Sequence, residues 1–370
     1  MHQLPTTRLT ALDGLRTLAI LMVISFHYFA NPSQFQSVQM LYPFGLRYAD
    51  YPLLKHGYLG VDLFFMISGF VIAMTLESTH DWIDFTIKRI ARLYPPMLLC
   101  TLISFIGLGL LPQRVWLLNP VDLLPGLTFI DEMTWREWLG PHVRIVEIVY
   151  WTLFVEVKFY ILAASAYYIF RRLPLIFSLG LIFNIVWIAT RFMSSPEAIE
   201  FLKIITTYHK LPWFLAGVAF WGLHSRKHVF VSAMLTLQMA IVLLIRTQKD
   251  GNTEAAIIFS FFVIFFATIY LPKYVKIFSW RPLVLIGASS YPIYLLHNRL
   301  GISITHAIAP LAPPWLEKSA VIPMLVAGSI IGFAVLIHRF WEVPAQRKTI
   351  RALTSLRSFV GAKISSMHPS

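Results

Sequence analysis

ALDGLRTLAILMVISFHYFA, residues 11–30, is long and apolar enough to cross a bilayer core, which takes about 20 such residues. Yet it carries Arg16 and His27. A basic side chain near the bilayer centre costs at least about 2.5 kcal/mol, so it is kept for a partner or a task. At about 100° per residue, the steps from Arg16 to His27 make three turns plus about 20°. The two side chains therefore share one face, roughly 16 Å apart along the axis. One stripe of this helix faces something polar.

The rest of the chain agrees with a membrane setting. Of its 370 residues 57% are hydrophobic and 13% charged, well below the roughly 25% charge of soluble domains. The single cysteine, Cys100, excludes an intramolecular disulfide. The net charge of +13 is spread as short basic clusters between apolar runs. That pattern suits cytoplasmic loops and anionic headgroups, and argues against a nucleic-acid surface, which needs a basic face on a soluble fold.

About ten runs have the length of a span: 9–30, 58–76, 94–111, 149–170, 174–190, 203–223, 229–245, 253–271, 283–298 and 320–338. The fold expected is an all-α polytopic membrane bundle. Residues 1–346 form the membrane domain and 347–370 a basic cytoplasmic tail. The first run lacks a small-residue cleavage site, so it is read as retained rather than as a signal peptide. No internal repeat, low-complexity tract or soluble domain is visible. The connections 31–57 and 112–148 are expected to be structured loops with Trp, Tyr and Pro near the interface.

With the N-terminus inside, 17 of the 31 Lys and Arg residues fall in inner segments and 12 in outer ones. The inner set includes Arg8, Arg171 and Arg172. This bias favours both termini in the cytoplasm.

That topology sorts the intramembrane polar residues by depth. His27, Asp62, Glu156 and His297 come from four runs and are expected at one outer level, with Tyr294 a turn from His297. Glu156 shares a helix face with Thr152 and Tyr160. Arg16, Lys88, Arg89 and Arg92 are expected at an inner level. Arg89 and Arg92, at i and i+3, present two guanidiniums side by side, a geometry suited to phosphate. A phosphate-bearing donor anchored inside, with an extended arm such as pantetheine, would reach an acceptor outside. His27, as an imidazole, suits a general base on an acceptor hydroxyl; Glu156 would orient it or serve as the base itself.

Six stretches carry a family resemblance: LDGLRTLAILMVISFHYF, GYLGVDLFFMISGF, FTIKRIARLYPP, YWTLFVEVKFY, SYPIYLLH and FWEVPAQRK. In this order, over about 9–346, they resemble the acyltransferase-3 family of membrane O-acyltransferases. The resemblance implies transfer of an acyl group, commonly acetyl, from cytoplasmic acyl-CoA to a hydroxyl of an extracytoplasmic glycan or related acceptor. It places the protein in a cell membrane, with a bacterial inner membrane as the natural setting. It implies Arg16, His27 and Glu156 as the catalytic set and Arg89 and Arg92 as the acyl-CoA site, to which the basic run itself adds Lys88. Asp62, Lys210, Tyr294 and His297 are the candidates for acceptor contact. No bound cofactor or metal is expected; acyl-CoA is a co-substrate. Two departures stand out. Lys210 occupies a place where many members have arginine, and Val157 with Lys158 follow the motif glutamate where many have a second acid. The resemblance is to a stand-alone member, expected to lack a fused hydrolase-like domain after the last span.

Each residue also has a plainer reading. Arg16 pairs with Asp13 at i−3. Lys88, Arg89 and Arg92 serve as positive-inside determinants. Asp62 and His297 make helix–helix hydrogen bonds. Asp122, Asp131, Glu132 and Glu137 are solvated loop residues. A proton-coupled transporter or lipid-linked glycan flippase is the rival function, in which the same polar layers form a pathway; a catalytically idle membrane subunit is a third. The sequence shows no G-x-S-x-G elbow, H-E-x-x-H, Walker loop or metal-spaced Cys/His cluster.

Overall fold

The computed structural model describes residues 10–31, 48–111, 118–170, 173–247, 252–317 and 319–367. Arg8, Arg171 and Arg172 and most of the 31–57 connection lie outside these. Among the described residues the protein is helix and turn, with no strand.

Eight helices among the described residues are long and apolar enough to cross a membrane. Seven are α1 (Thr10–Phe29), α2 (Gly60–Glu77), α3 (Trp82–Leu110), α4 (Trp151–Ile169), α5 (Leu175–Phe192), α7 (Val229–Arg246) and α8 (Asn252–Tyr270). The eighth begins with α12 (Val321–Ile337), passes through a π-helical turn at His338–Glu342 and continues as α13 (Val343–Met367). The tail expected from residue 347 thus extends the last span as helix.

The other two runs take a different form. The sixth divides into a helix at Pro196–Ile205 and the 14-residue α6 (Leu211–His224). Thr207, at φ +50, turns the chain between them, and Pro212 opens α6 because a missing N–H costs nothing in a first turn. The ninth breaks into α9 (Arg281–Ala288) and α10 (Ser290–Leu296), followed by α11 (Arg299–Ile308). Pro292 has no donor for the Ala288 carbonyl, and Ser289 Oγ donates to the Leu285 carbonyl at 2.9 Å, so the helix interrupts at Ser289.

α3 is longer than its expected run and carries Arg89 and Arg92 into the bundle. Asp81 caps its start, accepting from Asp84 N at 2.9 Å. It continues through Pro95 and Pro96. Neighbouring side chains donate there, Tyr291 Oη to the Leu93 carbonyl at 3.2 Å and Trp341 Nε1 to the Pro95 carbonyl at 3.0 Å.

Close packing sets the bundle's centre. α2 and α6 touch backbone to backbone: a Cβ on Gly217 would lie 1.9 Å from the Met66 carbonyl oxygen, and one on Gly69 would lie 2.0 Å from that of Phe214. Small residues permit this approach where no hydrophobic force joins helices in lipid. Between α3 and α4, Gly126 lies against Met97, Thr101 and Tyr150, so this connection folds back onto α3. Here one expectation is corrected. Asp122 is buried, not solvated, because its carboxylate accepts from Asn119 N and Arg144 N, both at 2.7 Å, and so ties the connection together.

Candidate functional site

α1, α2, α3, α4 and α10 enclose a cavity of about 120 Å³. Arg16, Arg89 and Arg92 line it beside Ser68, Glu156, Tyr160, Tyr291 and Tyr294. Three guanidiniums around one carboxylate make an anion-receptive space with a proton-accepting group inside it.

Each arginine is held differently. Arg16 Nη1 donates to Asp13 Oδ1 at 2.8 Å, the i−3 pairing, and still lines the cavity. Arg92 Nη1 donates to Glu342 Oε1 at 2.6 Å; the carboxylate's other oxygen lies 2.7 Å from His338 Nδ1. Arg89 has no carboxylate partner among the described residues. Its Nη2 donates to Thr75 Oγ1 at 3.3 Å, its guanidinium lies 5.6 Å from the ring centres of both Phe85 and Tyr160, and its Nε is buried with no hydrogen-bond partner. Of the three it is the cation best placed to receive a phosphate or a developing negative charge. Lys88 is not among the cavity-lining residues and pairs with Asp84 at 3.0 Å.

The expected outer cluster divides into three. Glu156 lies with the arginines, accepting from Ser68 Oγ at 2.7 Å and from Tyr160 Oη at 2.5 Å. Its i+4 neighbour serves it, while its i−4 neighbour Thr152 is 2.9 Å from Tyr294 Oη. Asp62 and Lys210 satisfy each other, Nζ to Oδ1 at 2.7 Å, with Asp62 buried. His27 and His297 form the third group, ring centres 5.2 Å apart. His27 Nδ1 lies 3.4 Å from Asn31 Nδ2.

Tyr294 connects cavity and histidines. It lines the cavity, and its ring is 5.4 Å from that of His297. Aromatic and imidazole rings thus run from the arginine cavity to His27, along the stripe that the Arg16–His27 spacing marks on α1.

Sequence reasoning missed several of these groups. Ser68 and Tyr291 sit inside quoted motifs yet gave no sign of their task. Glu342, in the closing FWEVP stretch, turns out to be the counter-charge of Arg92, 250 residues away. Glu147, fully buried, accepts from Ser104 Oγ at 3.0 Å and from the backbone N–H groups of Arg299 and Leu300 at 2.7 and 3.0 Å. An acid placed just before a span was the available signal.

A helical membrane bundle with a buried arginine–carboxylate cavity and a ring path to a histidine pair is the class of protein defined here. Residues 9–338 match the family model described as an acyltransferase domain. The chain belongs to the acyltransferase-3 family. O-acetyltransferase OatA of Staphylococcus aureus strain NCTC 8325 is 23% identical over 383 aligned residues, which cover 94% of this chain and 59% of the relative. A putative O-acetyltransferase of S. aureus strain MRSA252 is 25% identical over 393, with the same shares. The chain therefore spans less than two thirds of the length of these curated relatives. No solved structure matches it.

Proposed function

We propose that the protein is an acyl-CoA-dependent O-acyltransferase of a bacterial inner membrane, with both termini in the cytoplasm. It moves an acyl group, acetyl in the first instance, to a hydroxyl of an extracytoplasmic glycan or related acceptor. The observation that carries this is the cavity holding Arg16, Arg89, Arg92 and Glu156, joined through Tyr294 and His297 to His27. Family membership and the names of the two relatives supply the reaction class.

The chemistry follows from the groups. Donor phosphates bind from the cytoplasmic side with Arg89 and Arg92, and Lys88 stands nearby on α3 as a further positive charge. The thioester arm runs along α1 past Arg16. His27 takes the proton of the acceptor hydroxyl as its oxygen attacks the thioester carbonyl carbon. The C–S bond breaks, CoA leaves as thiolate, and the ester remains on the acceptor. Alternatively, His27 itself carries the acyl group between donor and acceptor. Glu156 orients the reacting groups from the cavity, and Asp62, Lys210, Tyr294 and His297 face the acceptor's side.

Equilibrium binding of acetyl-CoA to purified protein in nanodiscs tests the donor site. Arg89→Ala weakens binding about tenfold or more, as expected for losing a charge-assisted contact. Lys88→Ala, paired with Asp84 away from the cavity, changes it less than threefold. Binding that is absent in folded wild type, or insensitive to Arg89→Ala, refutes the reading and leaves the transporter in its place.

A further inference from the structure

The chain breaks between α10 and α11, and the break is built around Glu147. His297 closes α10, Asn298 departs from helical geometry at φ −81 and ψ −94, and α11 begins at Arg299. The first two N–H groups of a helix have no partner within it. Here both donate to Glu147, Arg299 N to Oε2 at 2.7 Å and Leu300 N to Oε1 at 3.0 Å. Ser104 Oγ of α3 donates to Oε1 at 3.0 Å. The Arg299 guanidinium bonds to the Ile145 and Val146 carbonyls, the latter at 3.1 Å, clamping the strand of chain that carries Glu147. A carboxylate from outside the helix therefore acts as its cap and ties three segments together.

His297 stands two residues before Arg299 at this junction. Its Nδ1 lies 2.8 Å from the Tyr294 carbonyl, and its own carbonyl accepts from Tyr28 Oη at 2.9 Å. A carbonyl only accepts, so Nδ1 carries the ring proton and Nε2 is left with a lone pair. That Nε2 is buried with no hydrogen-bond partner among the described residues, on a ring 5.2 Å from His27. A buried acceptor without a donor costs about 1–3 kcal/mol, a cost that is unusual to leave standing away from a working site.

We propose that Glu147 is a positioning residue for acyl transfer: it fixes the α10–α11 break so that His297 keeps a bare Nε2 beside His27. His297 then receives the proton that His27 takes from the acceptor hydroxyl, and returns it to the departing CoA thiolate. This rests on the acyl-transfer reading above.

The test uses purified wild type, Glu147→Gln, His297→Ala and the double variant in nanodiscs, with acetyl-CoA as donor, water as acceptor and thiol release as readout. Glu147→Gln keeps the size of the side chain but turns an amide donor toward N–H groups that need an acceptor. Turnover falls at least tenfold at unchanged KM for acetyl-CoA, and the second substitution in the His297→Ala background adds less than twofold. Residues acting through one another fail additivity in this way. Losses that multiply, or turnover within twofold of wild type in Glu147→Gln, overturn the proposal. Ser104→Ala, a milder change, gives a smaller loss of the same kind.

Nitrogen-15 NMR of histidine-labelled protein reads the junction without turnover. Wild-type His297 is neutral with its proton on Nδ1, and Glu147→Gln loses that single state. A wild-type His297 signal in folded Glu147→Gln refutes the positioning role. Wild type with the expected signal and no thiol release from acetyl-CoA refutes the acyl-transfer reading alone.

Discussion

Removing the carboxylate of Glu342 is expected to unlock one wall of the cavity. Its side chain is 1% exposed and holds Arg92 Nη1 at 2.6 Å and His338 Nδ1 at 2.7 Å. Arg92 keeps 27% of its side-chain surface. Breaking a buried pair by deleting one partner costs about 3–5 kcal/mol, since a charge stays behind without its counter-ion. Because Arg92 retains partial access, Glu342→Ala belongs at the low end, about 3 kcal/mol. At roughly 2–4 °C per kcal/mol for a larger domain, its thermal midpoint falls by roughly 6–12 °C. The assay is intrinsic-fluorescence unfolding of purified protein in detergent. The double replacement Arg92→Met with Glu342→Met recovers most of the loss, because apolar groups of similar volume replace a buried pair at little net cost. Arg357→Ala opens the far more exposed pair with Asp81 and leaves the midpoint unmoved within error. A Glu342→Ala midpoint within 2 °C of wild type, on the roughly 2–4 °C per kcal/mol scale, refutes the reasoning.

Two further outcomes follow from the same geometry. Gly217→Ala places a Cβ 1.9 Å from the Met66 carbonyl oxygen and abolishes recovery of folded protein, whereas Gly328→Ala, with open space around it, leaves the yield and thermal midpoint unchanged or slightly raised. Burial pushes the Glu147 carboxyl from 4.5 up to about 7, against the opposing pull of the Leu300 and Arg299 N–H groups, the Arg299 charge and Ser104; Tyr150 and Cys100 also face it. The folded state therefore keeps a proton that the unfolded chain releases between these values, so stability from this group falls as pH rises through that window, by roughly 3 kcal/mol at most. Glu147→Gln flattens that part of the pH–stability curve measured by thermal unfolding.

What could be read in the sequence was whatever one helix decides by itself. The shared face of Arg16 and His27 follows from helical periodicity, as does the Glu156–Tyr160 pair. The spans follow from apolar length, and Pro212 marks the weak point of 203–223, but the break at Ser289 lies inside what reads as one run, 283–298. The partners of the charged groups were not legible, because packing selects them across the fold. Asp62 finds Lys210 148 positions away, Arg92 finds Glu342 at 250, and Arg299 meets Glu147 at 152. Depth along the spans groups Glu156 with the histidines, whereas it lies one turn from Tyr294's partner Thr152, held by the hydroxyl donors Ser68 and Tyr160 among the arginines. Asp122 reads as a solvated loop acid until its two backbone donors are seen.

The measurement that bears most directly on the central claim is turnover of radiolabelled acetyl-CoA by purified protein in nanodiscs, comparing wild type with His27→Ala and Glu156→Gln. The account predicts label release or protein labelling in wild type and its loss by at least a hundredfold in His27→Ala, in line with the ~10²–10⁴-fold worth of a positioned acid–base group. Full activity in properly folded His27→Ala would contradict it.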